Sequence, residues 1–270
     1  MAKNVTQSFA VPERLMRIQK HVGVEPDGLL GVETLSAIER ALGLAPAERA
    51  VAKGEWSLVI SRRGLDALVA HEIGSKAAYE RSYQWPIWPG GGSGVTIGIG
   101  YDLGYHSKAS IEATWLPVVD TDKVRLLASA SGIKGDGAKA VAATLKAAGV
   151  RIPYDAAMTV FVGASLPAYA KQVRNIYPGA HLLPADAQAA LLSLVYNRGS
   201  SLTGSRRVHM KNIVDHVRRK DLAAIASELV SMKSLWAGKG LDGLLRRRDD
   251  EAALVRGSNR AYDPSELVYV

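Results

Sequence analysis

Cysteine is absent from the 270 residues. This excludes a disulfide framework, a thiolate nucleophile and a thiolate metal site. Phenylalanine occurs only twice. No nucleic-acid-binding motif accompanies the basic charge, so nucleic acid is not an expected partner. No apolar run approaches the roughly 18 residues of a membrane-spanning helix, so no stable membrane insertion is expected. The opening Met1-Ala-Lys-Asn-Val-Thr-Gln-Ser8 is polar and has no apolar h-region, so no signal peptide is expected. The glycine run lacks the Lys-Ser/Thr ending of a phosphate loop. Gly98-x-Gly100 lacks the third glycine and the following helix of a dinucleotide fold. Ser93 leads into a strand pattern, which excludes a nucleophile elbow. His71-Glu72 opens like a zinc-protease motif, but Ser75 stands where the second histidine belongs. The six histidines show no ligand spacing, so neither a metal nor an organic cofactor is expected.

What is present is a globular composition, 47% hydrophobic and 22% charged. The length allows one large or two smaller domains. The net charge of +8 suits a polyanionic partner and serves solubility equally well.

Beyond a polar start, Val11, Leu15, Ile18 and Val22 recur on one helical face, and Gly23 ends it. Glu25-Pro26-Asp27-Gly28 has turn chemistry at every position. Thr34 opens a second helix with Leu35, Ile38 and Leu42 inward. This helical unit is too small to stand alone easily. Its boundary falls between Gly43 and Arg63.

The next helix, 62–73, carries Leu65, Leu68 and Val69 on a stripe that Glu72 extends. Gly74 stops it. A carboxylate at the end of an apolar face needs a partner or a raised pKa, and a raised pKa is what a general acid uses near neutral pH. Further on, Val95, Ile97 and Ile99 alternate with Thr96, Gly98 and Gly100. Period two predicts a strand. Its other side would carry the Thr96 hydroxyl, two bare glycines and, by parity, Asp102. Either a ligand approaches that side, or the stretch is a glycine-bent hairpin with a capping Glu nearby.

After the strand the pattern is helical to the end. The segments are 108–116, 121–131, 136–148, 155–166, 167–177, 185–198, 208–218, 220–232 and 241–256, with Pro167 dividing two of them. Asp186 is expected to cap helix 185–198, which is apolar nearly all round and therefore buried. On the last helix the inward row runs Leu241, Leu244, Leu245, Arg248, Ala252, Val255. Arg248 needs an anion there, and Glu72 is the expected one. Arg246 and Arg247 read as a solvated charge run.

Three motifs in order resemble the phage-type lysozymes of glycoside hydrolase family 24. They are Glu72 with Thr96-Ile97-Gly98-Ile99-Gly100, then the helix ending Asn197-Arg198-Gly199, then Gly243-Leu244-Leu245-Arg246-Arg247-Arg248-Asp249-Asp250-Glu251. They span roughly 180 residues. The order Glu, Thr, Asp is similar to the pesticin-like branch. The N-terminal Leu15-x-x-Ile18-Gln19 with Asp27-Gly28-x-x-Gly31-x-x-Thr34 resembles three-helix peptidoglycan-binding domains.

The resemblance implies a mainly α protein. A small helical binding module, residues 9–60, would precede an α+β lysozyme-like domain with a short hairpin, residues 61–270. It implies a muramidase cleaving the β-1,4 bond between N-acetylmuramic acid and N-acetylglucosamine, with bacterial peptidoglycan as partner. Glu72 would be the general acid, Asp102 the second carboxylate ahead of Glu80, and Thr96 the residue positioning water. Arg248, Gly98, Gly100 and Asn197 would line the substrate. Asp27, Gly28, Gly31 and Thr34 would serve the binding module. A monomeric phage endolysin, held in the host cytoplasm until released to the wall, is the expected setting. A lytic transglycosylase and a non-catalytic wall-binding or virion protein are the alternatives.

Overall fold

The computed structural model describes residues 11–26, 28, 34, 37, 38, 41, 42 and 56–270. The chain divides into two compact units, Met1–Glu55 and Trp56–Val270.

In the first unit, helix α1 (Val11–His21) is amphipathic. Among its described side chains the buried one is Gln19, while Ile18, expected inward, is 44% exposed. Leu42, also expected inward, is exposed. Gln19 gains its place through polar bonding. Its amide nitrogen donates to Thr34 Oγ1 at 2.8 Å, and its Oε1 accepts from the Gly28 N–H at 2.7 Å. Gly28 has φ of +72°, a conformation that favours glycine. Asp27 and Gly31 of the expected turn set lie outside the described residues.

The second unit opens with strand β1 (Val59–Ser61) and closes with β4 (Leu267–Tyr269). They pair antiparallel, Val59 opposite Tyr269 and Ser61 opposite Leu267. Ser61 ends β1 and caps α2 (Arg62–Ile73), its hydroxyl accepting from the Gly64 N–H. Leu65, Leu68, Val69 and Ile73 of α2 are buried. Gly74, at φ +75°, stops the helix two residues after Glu72. Helix α3 (Lys76–Ser82) follows.

The predicted strand is a hairpin. Strand β2 (Thr96–Ile97) pairs with β3 (Tyr101–Asp102), and Thr96 lies opposite Asp102. Gly98 and Gly100, at φ +58° and +72°, turn the chain between them. Thr96 and Asp102 thus share a face as cross-strand partners, not as neighbours along one strand.

Helices α4 (Lys108–Trp115), α5 (Thr121–Ala128) and α6 (Asp136–Ala147) come next. Then α7 (Tyr154–Val160) runs through a π-helical turn, Phe161–Ser165, into α8 (Leu166–Ile176). Pro167 does not divide two helices here. It has no N–H, and its ring would clash with the carbonyl of Gly163. The π turn absorbs one extra residue, and the Leu166 N–H bonds to Phe161 O instead.

Helix α9 (Ala185–Arg198) is the centre of the unit, buried from Ala185 to Val195. Helix α2 crosses it closely. A Cβ at Gly64 would collide with the Ala189 side chain. Helices α10 (Val208–Arg218), α11 (Leu222–Ser231) and α12 (Asp242–Arg256) complete the unit. No helix among the described residues is long and apolar enough to cross a membrane.

Asp186 does not cap α9, whose N-cap is Pro184. Its fully buried carboxylate joins α2 to the C-terminal segment instead. Oδ1 accepts from Arg63 Nε at 2.8 Å, and Oδ2 from Arg63 Nη2, Arg260 Nε and Tyr262 Oη. Burial pushes this carboxyl upward, but hydrogen bonds from Arg63, Ser61, Tyr262 and Arg260 outweigh burial and hold it at about 2. A depressed carboxyl stabilises the fold above its ordinary pKa and loses that contribution as pH falls through the folded value. Asp186→Asn is therefore expected to lower stability at neutral pH by about 2 kcal/mol. It should also flatten the loss of stability between the ordinary 3.8 and about 2. Urea unfolding followed across that range checks both.

Candidate active site

Glu72 projects from the last turn of α2 toward α12. Its Oε1 accepts from Arg247 Nη1 at 2.6 Å. Among the described residues no protein group bonds its Oε2. The carboxylate is 24% exposed, whereas the Arg247 side chain is 4% exposed. Arg248, expected as the partner, is completely buried and turned elsewhere. Its Nη2 meets Glu251 Oε1 at 2.7 Å and Asn197 Oδ1 at 3.3 Å. A residue with no exposure cannot touch a substrate. Arg247, expected in a solvated run, is the residue that reaches Glu72. The buried stripe of α12 is wider than one row and holds Arg247, Arg248, Glu251, Ala252 and Val255. Arg247 occupies its α2 side. Arg246 is exposed.

Both guanidiniums depend on Glu251, one turn further along α12. Glu251 Oε1 accepts from Ser193 Oγ at 2.6 Å, from Arg248, and from Arg247 Nε at 3.4 Å. Arg247 also donates to Ser193 Oγ and to the Ser193 carbonyl. Burial pushes the Glu251 carboxyl up, and Arg248 and Arg247 pull it back. Burial lowers Arg248, and Glu251 opposes that shift. Ser193, Asn197, Arg247, Arg248 and Glu251 therefore form one polar core that ends at Glu72.

A cavity of about 730 Å³ opens beside Glu72, walled by α2, α12 and the end of α9. Its wall includes Glu72, His71, Asn197, Arg246, Arg247 and Asp250. His71 Nε2 lies 3.1 Å from Asp250 Oδ2. Burial and the Arg247 charge lower the His71 pKa, and Asp250 works against them.

The hairpin meets α9 through Tyr196. The Tyr196 hydroxyl donates to Ile99 O at 3.2 Å. A Cβ at Gly100 would strike that hydroxyl. Burial and then the Glu72 charge raise the Tyr196 pKa. Gly100 is thus bare to admit a tyrosine. Gly98 is bare for a similar reason, since a Cβ there would press on Trp115 at 3.0 Å. Gly98 is also buried, so the expectation that it lines substrate is corrected.

Asp102 is occupied. Its Oδ2 accepts from the Gly94 N–H at 3.0 Å and its Oδ1 from the Gly104 N–H at 2.8 Å. It clamps the base of the hairpin and does not line the Glu72 cavity. Thr96, half-buried, stands opposite it and likewise does not line the cavity, whereas Asn197 is exposed on the cavity wall. Glu80 is exposed on α3, away from the cavity. Sequence reasoning missed Arg247, Glu251 and Tyr196. The signal for the first two was their i, i+4 spacing, which places an Arg and a Glu on one helical face.

The family model described as Phage lysozyme matches residues 134–251. This match supports a phage-type lysozyme and, with it, a glycoside hydrolase of the peptidoglycan-degrading kind. The segment contains Asn197, Arg247 and Glu251. Glu72 and the hairpin fall in a second match, residues 72–182, to a domain of unknown function (DUF8812). No curated protein matches the chain.

Breaking a buried ion network by removing one member costs more than its net contribution, because the remaining charge is left uncompensated. Arg247→Gln is expected to cost about 3 kcal/mol. Arg247→Lys is expected to recover only part of this, since an ammonium cannot span Glu72, Ser193 and Glu251 together. Chemical denaturation of the two variants checks the order.

Proposed function

We propose that the unit Trp56–Val270 is an N-acetylmuramidase that hydrolyses the β-1,4 bond between N-acetylmuramic acid and N-acetylglucosamine in peptidoglycan. The carrying observation is Glu72. It is a half-buried carboxylate, fixed on one oxygen by Arg247 and free on the other, at the wall of a glycan-sized cavity. In this reading Glu72 gives its proton to the leaving glycosidic oxygen as the bond to the sugar C1 breaks. Arg247 stabilises the carboxylate left behind. A water adds to C1, and its proton passes to Glu72. The Phage lysozyme match over residues 134–251 supports the same class of reaction.

A specific observation favours a second reading. Both Asp102 oxygens are committed to backbone N–H groups. The remaining carboxylate on the cavity wall, Asp250, lies against His71. An acid working without a second carboxylate suits a lytic transglycosylase, in which the muramic acid 6-hydroxyl attacks C1 in place of water. Mass spectrometry of digested walls separates the two. Reducing muramic ends are expected for the hydrolase and anhydro ends for the transglycosylase. Release of nothing would overturn both.

Glu72→Gln is expected to reduce glycan cleavage by about a thousandfold. It should change stability by less than about 1 kcal/mol, because the lost partner lies at the edge of the polar core. A variant lysing walls at the wild-type rate would remove Glu72 from the mechanism.

We assign wall binding to the first unit, on the turn residues Gly28 and Thr34 and the Gln19 side chain that joins them. Asp27 and Gly31 are proposed to act with them. A protein comprising residues 56–270 is expected to cleave soluble glycan yet sediment poorly with purified walls. Undiminished sedimentation would place the binding surface in the second unit. The shortened protein starts at Trp56 because a start at Ser61 would delete two of the three β1 residues.

A further inference from the structure

The cavity beside Glu72 holds more charge than its ion pairs use. Gly243, Arg246, Arg247 and Asp250 of α12 all line it. They stand at i, i+3, i+4 and i+7, so one face of the helix forms this part of the wall. His71 and Glu72 of α2 line it as well. Arg247 is committed to Glu72, Ser193 and Glu251. Asp250 has His71 at 3.1 Å. Arg246 is exposed, and among the described residues no carboxylate, carbonyl or aromatic ring partners its guanidinium.

Protonation of Glu72 shifts the balance further. A general acid works from its neutral form. Burial and the Arg247 charge lower the His71 pKa, which favours a neutral imidazole at pH 7. Arg246 and Arg247 then face Asp250 as the charged groups of the described wall, with one positive charge in surplus. A concave wall with unbalanced charge draws a ligand of opposite sign. Of the two sugars in the proposed substrate, muramic acid alone carries a carboxyl group, on its lactyl arm. It is also the ring whose C1 reacts, so that arm enters the cavity with the scissile bond. Where a peptide is joined to the arm, the peptide presents carboxylates of its own. A guanidinium grips a carboxylate through two parallel hydrogen bonds.

We propose that Arg246 is a specificity-determining residue, whose guanidinium pairs with a carboxylate on the lactyl arm of muramic acid or on the peptide joined to it. It selects acidic glycans over neutral ones of the same backbone. This rests on the glycan-cleaving reading given above. The role is separate from that of Arg247, which is buried and holds the acid, whereas Arg246 is exposed with its charge unspent.

The test compares wild type with Arg246→Gln in the full chain on two soluble glycans. One is stripped of peptide, with the lactyl carboxylate free, and the other keeps its peptides. Each is also used with its carboxylates converted to methyl amides. On at least one acidic glycan Arg246→Gln is expected to lower kcat/KM about tenfold, the effect of one charge-assisted contact. Which of the two responds tells whether the lactyl arm or the peptide supplies the anion. On the amidated glycans the two proteins are expected to agree within about twofold. Arg246→Lys should recover part of the loss, since it keeps the charge without the fork. The midpoint of thermal unfolding should not move, because Arg246 is exposed and unpaired. Binding of the four glycans to Glu72→Gln, with and without Arg246→Gln, gives the same comparison without turnover. Equal losses on acidic and amidated glycans, or no loss on any, would overturn the proposal while leaving the glycan-cleaving reading intact. A wild-type protein that neither cleaves nor binds any of the four would overturn both.

Discussion

The site depends on a carboxylate that no substrate meets. Glu251 is only 1% exposed, and from there it anchors two guanidiniums and a serine hydroxyl. Such a group is costly to bury, and the cost is met only while every partner stays in place. Its partners come from two helices, and Arg247 extends the connection to a third, at Glu72. Polar pairing of this kind adds little net stability. What it supplies is position. Glu72 cannot swing from its rotamer without stripping Arg247 of an anion, and Arg247 cannot move without disturbing Glu251.

Backbone geometry surrounds that network with close tolerances. Gly64 lets α2 lie directly on α9, and Gly100 lets Tyr196 meet the hairpin. Gly74 ends α2 before the chain could carry Glu72 into a longer helix. These glycines serve approach of protein to protein. The bare face that looks from the sequence like room for a ligand is in two cases already filled by an aromatic side chain.

Much of this was legible in the sequence. The stripe through Leu65, Leu68 and Val69 located Glu72 at a helix end, and Gly74 marked the stop. Alternation of Val95, Ile97 and Ile99 gave the buried face of the hairpin correctly. The turn itself was misread, because a glycine in a strand pattern does not reveal its φ. Choosing Arg248 over Arg247 failed for a related reason. A single row at helical spacing cannot describe a helix buried on a wide stripe, and two adjacent arginines differ by only about 100° of rotation. Pro167 misled in the opposite direction, because a proline ends most helices but a π turn can carry the chain past it. The β1–β4 pairing left little trace, since three-residue strands have too little pattern to distinguish them from loop. Asp186 read as a cap because local chemistry was visible and Arg63, Arg260 and Tyr262 were far away in the chain.

The β1–β4 ladder also sets an order of events during synthesis. Val59 and Tyr269 are neighbours in space but lie at opposite ends of the unit. Contacts of such wide sequence separation form late. The serine that caps α2 is the last residue of β1, so the start of the helix bearing Glu72 is secured by a strand that leaves the ribosome some two hundred residues later. A nascent chain can bury α9 and join it to α12 while α2 still lacks that support. Pairing of the strand that leads into the Glu72 helix is thereby tied to the arrival of β4, while Arg63 and Gly64 in the helix's first turn can already meet Asp186 and Ala189 of α9.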